Sequence, residues 1–367
     1  MSLNKFVQQP HVRKMLQDFC PPTECIPCAM QVPPRGNNVQ RVGTALDYLL
    51  RFELGRRVRG LEDGPWVAER AENRISADAE PFESWDAFEK CYRRTKRCVP
   101  RYLREAKDAV SNYRRKRKPT RQHQIELACH AIRLARLDVL CRTGKLDAHL
   151  FDKPAKDEAV ELVDLLALAP IDAFVDRGHI LLNPTFGDAS RLVGGADADL
   201  ILGDMLIDIK TVKEKSPRAQ YFYQLLGYFI LARHAHRLKP SFPTINILGL
   251  YFSRHGYLRT WDVKPLHKDP EFLILEQWFL DEAAGHHADG TACDMCPTPG
   301  EGKNCAHCIA MNLPQVPTLE TNPILSRPRL THQITPFTPD RTLARPRDGI
   351  AALFPAPSTR RETRRIY

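Results

Sequence analysis

Four charged side chains lie close to a tight turn near the middle of the chain: Asp197, Asp199, Asp208 and Lys210. The dipeptide between them, Gly203-Asp204, suits a two-residue hairpin turn, because glycine readily adopts the positive φ angle that is required there. Such a turn sets Leu202 opposite Met205 and Asp199 opposite Asp208. Because side chains alternate between the faces of a strand, all four charged groups share one face of the predicted hairpin.

Three carboxylates and a lysine on largely apolar strands need a compensating partner, since like charges opposed across a sheet destabilise it. Carboxylate oxygens, water and substrate phosphate are the ligands that Mg²⁺ or Mn²⁺ prefers. We therefore interpret Asp199 and Asp208 as metal ligands, with the carbonyl of Ile209 as a third oxygen and Asp197 as an accessory or spare carboxylate. Lys210 would orient the attacking water or stabilise charge on a scissile phosphate, which is the chemistry of phosphodiester hydrolysis.

The triplet Asp208-Ile209-Lys210 is a weak indication by itself, because Asp-x-Lys is also compatible with a solvated strand face. A helix predicted after Pro217 strengthens it. This helix carries Gln224 and Tyr228 at positions i and i+4, so both side chains lie on one helix face.

Five apolar segments with strand-like patterns surround these residues: 179–186, 198–202, 205–210, 245–252 and 257–263. The helix that runs from after Pro217 to about His234 separates the third strand from the fourth. A turn at Arg254-His255-Gly256 is predicted to join the last two strands. The order strand, strand, strand, helix, strand, strand predicts an α/β core, a mixed sheet flanked by helices.

Helical periodicity dominates the chain before these strands, with a first helix from about Val42 and helical patterns over 85–144 and 157–168. The basic run 114–118 is either a solvated helix end or a surface for a phosphate backbone. We predict five parts: an irregular N-terminal segment (1–41), a helical lobe (42–150), the α/β core (151–285), a small Cys-rich metal module (286–312) and a flexible basic Pro-rich tail (313–367).

The metal module contains four of the eleven cysteines: Cys293, Cys296, Cys305 and Cys308. Two Cys-x-x-Cys pairs supply the four thiolates of a tetrahedral Zn²⁺ site, so we predict a structural zinc. A second group of cysteines, Cys20, Cys25 and Cys28, belongs to another site or to none.

A net charge of +10 favours a polyanionic partner, because neutralising phosphates releases counterions. DNA is the expected partner and RNA is not excluded, while the tail offers a possible docking segment for another protein. No apolar stretch is long enough for a membrane span, and no phosphate-binding Walker motif occurs, so we expect a cytoplasmic protein without an ATP site.

The motifs together resemble the PD-(D/E)xK nuclease superfamily, and within it the RecB- and Cas4-like nuclease domains. The resemblance covers roughly residues 43–263 and rests on an early helix, an acidic strand, Asp208-Ile209-Lys210 and the Gln-x-x-x-Tyr sequence that starts at Gln224. It implies a restriction-endonuclease-like core and positioning of the lysine by Gln224 and Tyr228. The early helix departs from the pattern, because Asp47 follows where many relatives carry a histidine. Asp47 is either a metal ligand or a charge on the helix surface, and we favour the second.

The resemblance also brings an alternative for the cysteines, since some relatives hold an iron-sulfur cluster with one early and several late cysteines. Our expectation is a Mg²⁺- or Mn²⁺-dependent deoxyribonuclease serving repair, recombination or defence against foreign DNA. The first alternative is a catalytically inactive nuclease fold that binds nucleic acid or acts as a scaffold. A second is a zinc-ribbon regulator whose aspartates merely form a hairpin surface.

Overall fold

A five-stranded mixed sheet organises the part of the chain that the computed structural model describes, which is residues 2–21, 24–36, 38–73, 85–143, 147 and 149–285. The strands are β1 (Ile180–Leu182), β2 (Leu200–Leu202), β3 (Met205–Lys210), β4 (Ile247–Phe252) and β5 (Tyr257–Asp262), and they are neighbours in that order. The predicted Cys-rich module and basic tail lie outside the described residues.

The β2–β3 hairpin has the predicted register, with Leu202 paired to Met205 and a positive φ of 59° at Gly203. β3 runs parallel to β4, whereas the other neighbours are antiparallel. A parallel pair needs a long crossover, and the helix between β3 and β4 provides it. The predicted α/β class and the order of strands and helix are therefore confirmed.

Ten α-helices are described: α1 (Leu3–Phe6), α2 (Pro10–Leu16), α3 (Val39–Arg57), α4 (Trp85–Arg114), α5 (Arg121–Thr143), α6 (Lys156–Leu168), α7 (Ile171–Val175), α8 (Asp188–Leu192), α9 (Ala219–Leu238) and α10 (Pro270–Gly285). Asn38 caps α3, because its side-chain oxygen accepts a hydrogen bond from the backbone N–H of Arg41. Pro119 lies between α4 and α5 and prevents the two from forming one helix.

Each face of the sheet packs against its own apolar core. Helices α3 to α6 form one core with sheet residues such as Leu200 and Ile207. Helices α1, α2, α9 and α10 form the other with residues such as Ile201 and Leu206. Alternation along β2 and β3 sends neighbouring residues to opposite cores, so β2 and the first three residues of β3 are apolar on both faces.

Two expectations about local structure are wrong. The segment 1–41 is not irregular throughout, because α1 and α2 lie within it and bury Leu3, Phe6, Val12 and Leu16 in the second core. Helices this short gain their stability from packing, which sequence periodicity does not reveal. The first strand is also shorter than predicted, since Asn183 adopts a positive φ of 47° and Pro184 follows it. Among the described residues, no helix combines the length and apolar character needed to cross a bilayer.

Candidate active site

A cleft of about 330 Å³ opens where the end of β3 meets α3, α5 and α9. The residues that the sequence singled out lie together in its lining: Asp197, Asp199, Asp208, Ile209, Lys210, Gln224 and Tyr228. Three elements bring them there. β3 carries the Asp-x-Lys triplet, the segment before β2 carries the first two aspartates, and α9 carries the glutamine and tyrosine.

Lys210 is held in place by a short chain of hydrogen bonds. Its ammonium donates to Oε1 of Gln224 over 2.9 Å, and Nε2 of Gln224 donates to the hydroxyl of Tyr228 over 2.9 Å. The same ammonium lies 2.6 Å from Oδ2 of Asp208 and 4.9 Å from the ring centre of Tyr221. Gln224 and Tyr228 lie on one face of α9, so Tyr228 holds Gln224 and Gln224 in turn orients the ammonium of Lys210.

Asp199 and Asp208 are two buried carboxylates that line the cleft together. Burial raises the pKa of Asp199 well above its ordinary value, and the neighbouring carboxylates of Asp208 and Asp47 raise it further. The backbone N–H of Ile209 opposes this shift by donating to Oδ2 of Asp199 over 2.6 Å. Burial likewise raises the pKa of Asp208, and Lys210 opposes that shift. The fold therefore disfavours the ionised form of both aspartates.

Asp47 belongs to this cleft, and the preferred interpretation of it as a helix-surface charge is wrong. Its side chain is only 19% exposed, and one oxygen, Oδ2, pairs with Arg51 over 2.9 Å. The other oxygen, Oδ1, is buried and has no hydrogen-bond partner. Close approach of α3 to the sheet explains this position, because a Cβ atom added at Gly43 would lie 3.5 Å from Cβ of Thr211, just after β3.

Asp197 pairs with Arg142 in the last turn of α5. Nη2 of Arg142 donates to Oδ2 of Asp197 over 3.1 Å, and its Nε donates to Oδ2 of Asp138 over 3.4 Å. Asp138 also accepts a hydrogen bond from the hydroxyl of Tyr48 over 2.6 Å. Asp197 is therefore an ion-pair partner of Arg142 in this structure.

The sequence interpretation missed Arg142, Asp138 and Arg51. Each of the ion pairs Asp47–Arg51 and Asp138–Arg142 has the i, i+4 spacing of a helical pair, and that spacing is visible in the sequence. Nothing in the sequence connects α5 with the hairpin, however. The interaction of Arg142 with Asp197 joins residues 55 positions apart and depends on tertiary packing.

Charge in the described lining is unbalanced, with carboxylates at four positions (Asp47, Asp197, Asp199 and Asp208) and cationic side chains at two (Arg142 and Lys210). In the described part of the chain, no three carboxylate, imidazole or thiolate groups converge to hold a metal ion as the side chains stand. The Lys210 ammonium supplies the positive charge beside Asp208 instead. The oxygen donors, the unpartnered Asp47 oxygen and the excess of two negative charges nevertheless match a hard divalent cation.

The early cysteines are not gathered into such a group. Sγ of Cys25 lies 3.4 Å from Oγ of Ser216, and Sγ of Cys28 lies 3.4 Å from the carbonyl oxygen of His255. Cys20 is partly buried against the second core, and this burial raises its pKa. The late cysteines, Cys293 to Cys308, lie outside the described residues, so zinc and the iron-sulfur cluster both stay predictions.

The basic run at the end of α4 is partly internal. Arg114 pairs with Asp63 over 3.1 Å, and Arg56 donates to the carbonyl oxygens of Lys116 and Arg117. Arg115, Arg117 and Lys118 are exposed. The run therefore has a structural role at its start and offers cationic side chains to solvent further along.

Comparison with known proteins adds no relative: no family model matches the chain, and no curated protein or solved structure matches it. The geometry of the cleft therefore carries the functional argument.

Proposed function

We propose that this protein is a metal-dependent nuclease of the PD-(D/E)xK type that hydrolyses phosphodiester bonds in DNA. The observation that carries the proposal is the end of β3. Asp208 and Lys210 enter an acidic cleft, and Lys210 is bound through Gln224 to Tyr228. The four residues of this arrangement come from the two motifs that resemble the superfamily, and they meet at one position in the fold.

Asp199, Asp208 and the carbonyl of Ile209 would hold the Mg²⁺ or Mn²⁺ ion, with Asp47 as a further candidate ligand. The ion would supply Lewis-acid polarisation of a phosphate and would lower the pKa of a water molecule. Ionised carboxylates are needed for this role, although burial raises the pKa of all three aspartates and neighbouring carboxylates raise those of Asp47 and Asp199 further. Binding of a cation would favour their ionised forms.

Lys210 has a separate task in this mechanism. Its ammonium carries fixed positive charge at the rim of the acidic pair, and Gln224 limits its orientation. When a phosphate enters the cleft, this group can donate hydrogen bonds to the oxygens on which negative charge develops. Tyr228, which is 6% exposed, supports Gln224 from the buried side. Removing the ammonium should therefore affect the reaction more than the fold.

The proposal is tested by incubating pure full-length protein with end-labelled linear DNA and with closed circular DNA, in Mn²⁺, in Mg²⁺ or in EDTA. We expect metal-dependent cleavage by the wild type and a loss of at least about 100-fold in Lys210→Ala, as for removal of one transition-state donor. Cleavage of the circular substrate identifies an endonuclease, whereas its resistance identifies an exonuclease.

Lys239→Ala is the matched control, because Lys239 is an exposed lysine just after α9 and does not line the cleft. This variant should cut at the wild-type rate. Cleavage by Lys210→Ala at the wild-type rate would refute the mechanism. DNA binding without any cleavage by the wild type would instead support the inactive nucleic-acid-binding alternative.

A further inference from the structure

Arg142 is the exposed cation of the cleft. Its side chain is 52% exposed, whereas that of Lys210, the other cationic group of the described lining, is 14% exposed. It extends from the last turn of α5, so its position depends on a long helix that packs between α3, α4 and α6. A half-exposed guanidinium in the lining of the cleft can receive a ligand from solvent.

The two anionic partners of Arg142 differ in their exposure and in their other hydrogen bonds. Asp138 is buried, with a side chain only 5% exposed, and it keeps a second hydrogen bond from Tyr48. Asp197 is 32% exposed, and no other side-chain hydrogen bond to its carboxylate is described. Asp197 can therefore exchange its contact with Arg142 for water at little cost, while Asp138 remains to orient the guanidinium.

We propose that Arg142 binds a backbone phosphate of the nucleic acid strand in the cleft, and that Asp197 occupies this position until the phosphate displaces it. The inference rests on the proposed function, because it assumes that the cleft receives nucleic acid. A guanidinium offers parallel N–H groups that match two phosphate oxygens as well as they match a carboxylate. Asp197 thus acts as a competing anion within the protein.

This assignment changes the role of Asp197. A metal ligand would be required for cleavage, and its loss would weaken the reaction. A competing anion has the opposite effect on binding, since its removal leaves Arg142 free for the phosphate. The sign of the change in affinity therefore separates the two roles.

The test measures binding of a fluorescein-labelled 20-nucleotide single strand to the full-length protein by anisotropy, without added divalent cation and over a series of salt concentrations. We expect Arg142→Gln to weaken binding about tenfold, as for one charge-assisted contact. It should also reduce the slope of log K against log salt by about 0.7, the value for one phosphate on a single strand. Arg142→Lys should recover the slope, because it keeps the charge.

Asp197→Asn should strengthen binding about threefold, and this gain should vanish when Arg142→Gln is already present. Arg93→Gln is the control for loss of an exposed arginine in an ion pair, because Arg93 pairs with Glu89 on α4 and does not line the cleft. It should leave affinity close to that of the wild type.

Unchanged affinity and slope in Arg142→Gln would overturn the inference, and so would a gain from Asp197→Asn that persists without Arg142. The cleavage assay tests the proposed nuclease activity independently of this binding measurement. Binding that depends on Arg142 in a protein that cuts no DNA would keep this inference and reject the nuclease. A wild type that cuts DNA although its binding does not depend on Arg142 would reject this inference and keep the nuclease. Absence of binding would reject this inference, and the cleavage assay would decide on the nuclease.

Discussion

Two groups of charges in this protein differ in whether each carboxylate has a cationic partner. Two glutamates of α6 form ion pairs. Glu161 pairs with Arg254 over 2.6 Å, with both side chains fully buried, and Glu158 pairs with Arg41 over 2.5 Å. Each of these carboxylates has its own guanidinium. In the acidic cleft, carboxylates outnumber cationic side chains by four to two among the described lining residues.

This difference indicates separate roles for the balanced ion pairs and for the acidic cleft. A balanced pair holds α6 to the segment after β4, because separating it would leave an unpaired charge in the core. In the acidic cleft, carboxylates repel one another in the folded protein, and burial raises the pKa of Asp47, Asp199 and Asp208. Such unfavourable charge is typical of functional sites, where a ligand supplies the missing partner.

The largest effect should come from breaking the balanced pair. Glu161→Gln would leave Arg254 fully buried without a counter-charge, and we expect a loss of about 3 kcal/mol in the free energy of unfolding. Urea denaturation measures this loss. In the exposed pair of Arg93 with Glu89, Glu89→Gln should change stability by less than about 0.5 kcal/mol. Equal effects at the two positions would show that burial does not govern these pairs.

A somewhat smaller effect should follow from supplying the missing partner in the acidic cleft. Mn²⁺ at 100 times its Kd should stabilise the wild type by about 2.7 kcal/mol, which raises Tm by roughly 5 °C. Asp199→Asn and Asp208→Asn should lose most of this rise, whereas Glu89→Asn should keep it. A full Mn²⁺-dependent rise in Tm in both cleft variants would show that the metal binds elsewhere. It would favour the interpretation of the aspartates as a hairpin surface.

The smallest effect concerns pH in the absence of added metal. The pKa of Asp199 is raised in the folded state, so the folded protein binds more protons than the unfolded chain above pH 4, and stability falls as pH rises through this window. Asp199→Asn removes the charge while its amide oxygen can still accept from Ile209. We expect the variant to be more stable than the wild type at pH 7 by up to about 1 kcal/mol, the range for opposed like charges.

Thermal unfolding at pH 4 and pH 7 measures this gap, which should close at pH 4, where both proteins carry a neutral group at position 199. Asp172→Asn is the control, since Asp172 is a largely exposed carboxylate outside the cleft. A gap of the same size at both pH values would trace the effect to something other than charge.

Local patterns in the sequence determined much of the fold. The Gly203-Asp204 turn and the alternation around it set the register of β2 and β3, in which Leu200 pairs with Ile207, next to Asp199 and Asp208. The spacing of Gln224 and Tyr228 placed both on one face of α9, where they contact each other. These predictions succeed because turn chemistry and side-chain periodicity act over a few residues.

Only the tertiary structure decided which distant residues join the hairpin. Asp47 enters the cleft because α3 packs against the end of β3, and Arg142 reaches Asp197 because α5 ends beside it. Helices α1 and α2 form because their apolar residues fill the second core. A helical period shows which face of an element is apolar but not which partner covers it, so contacts across dozens of residues depend on packing that the sequence pattern does not express.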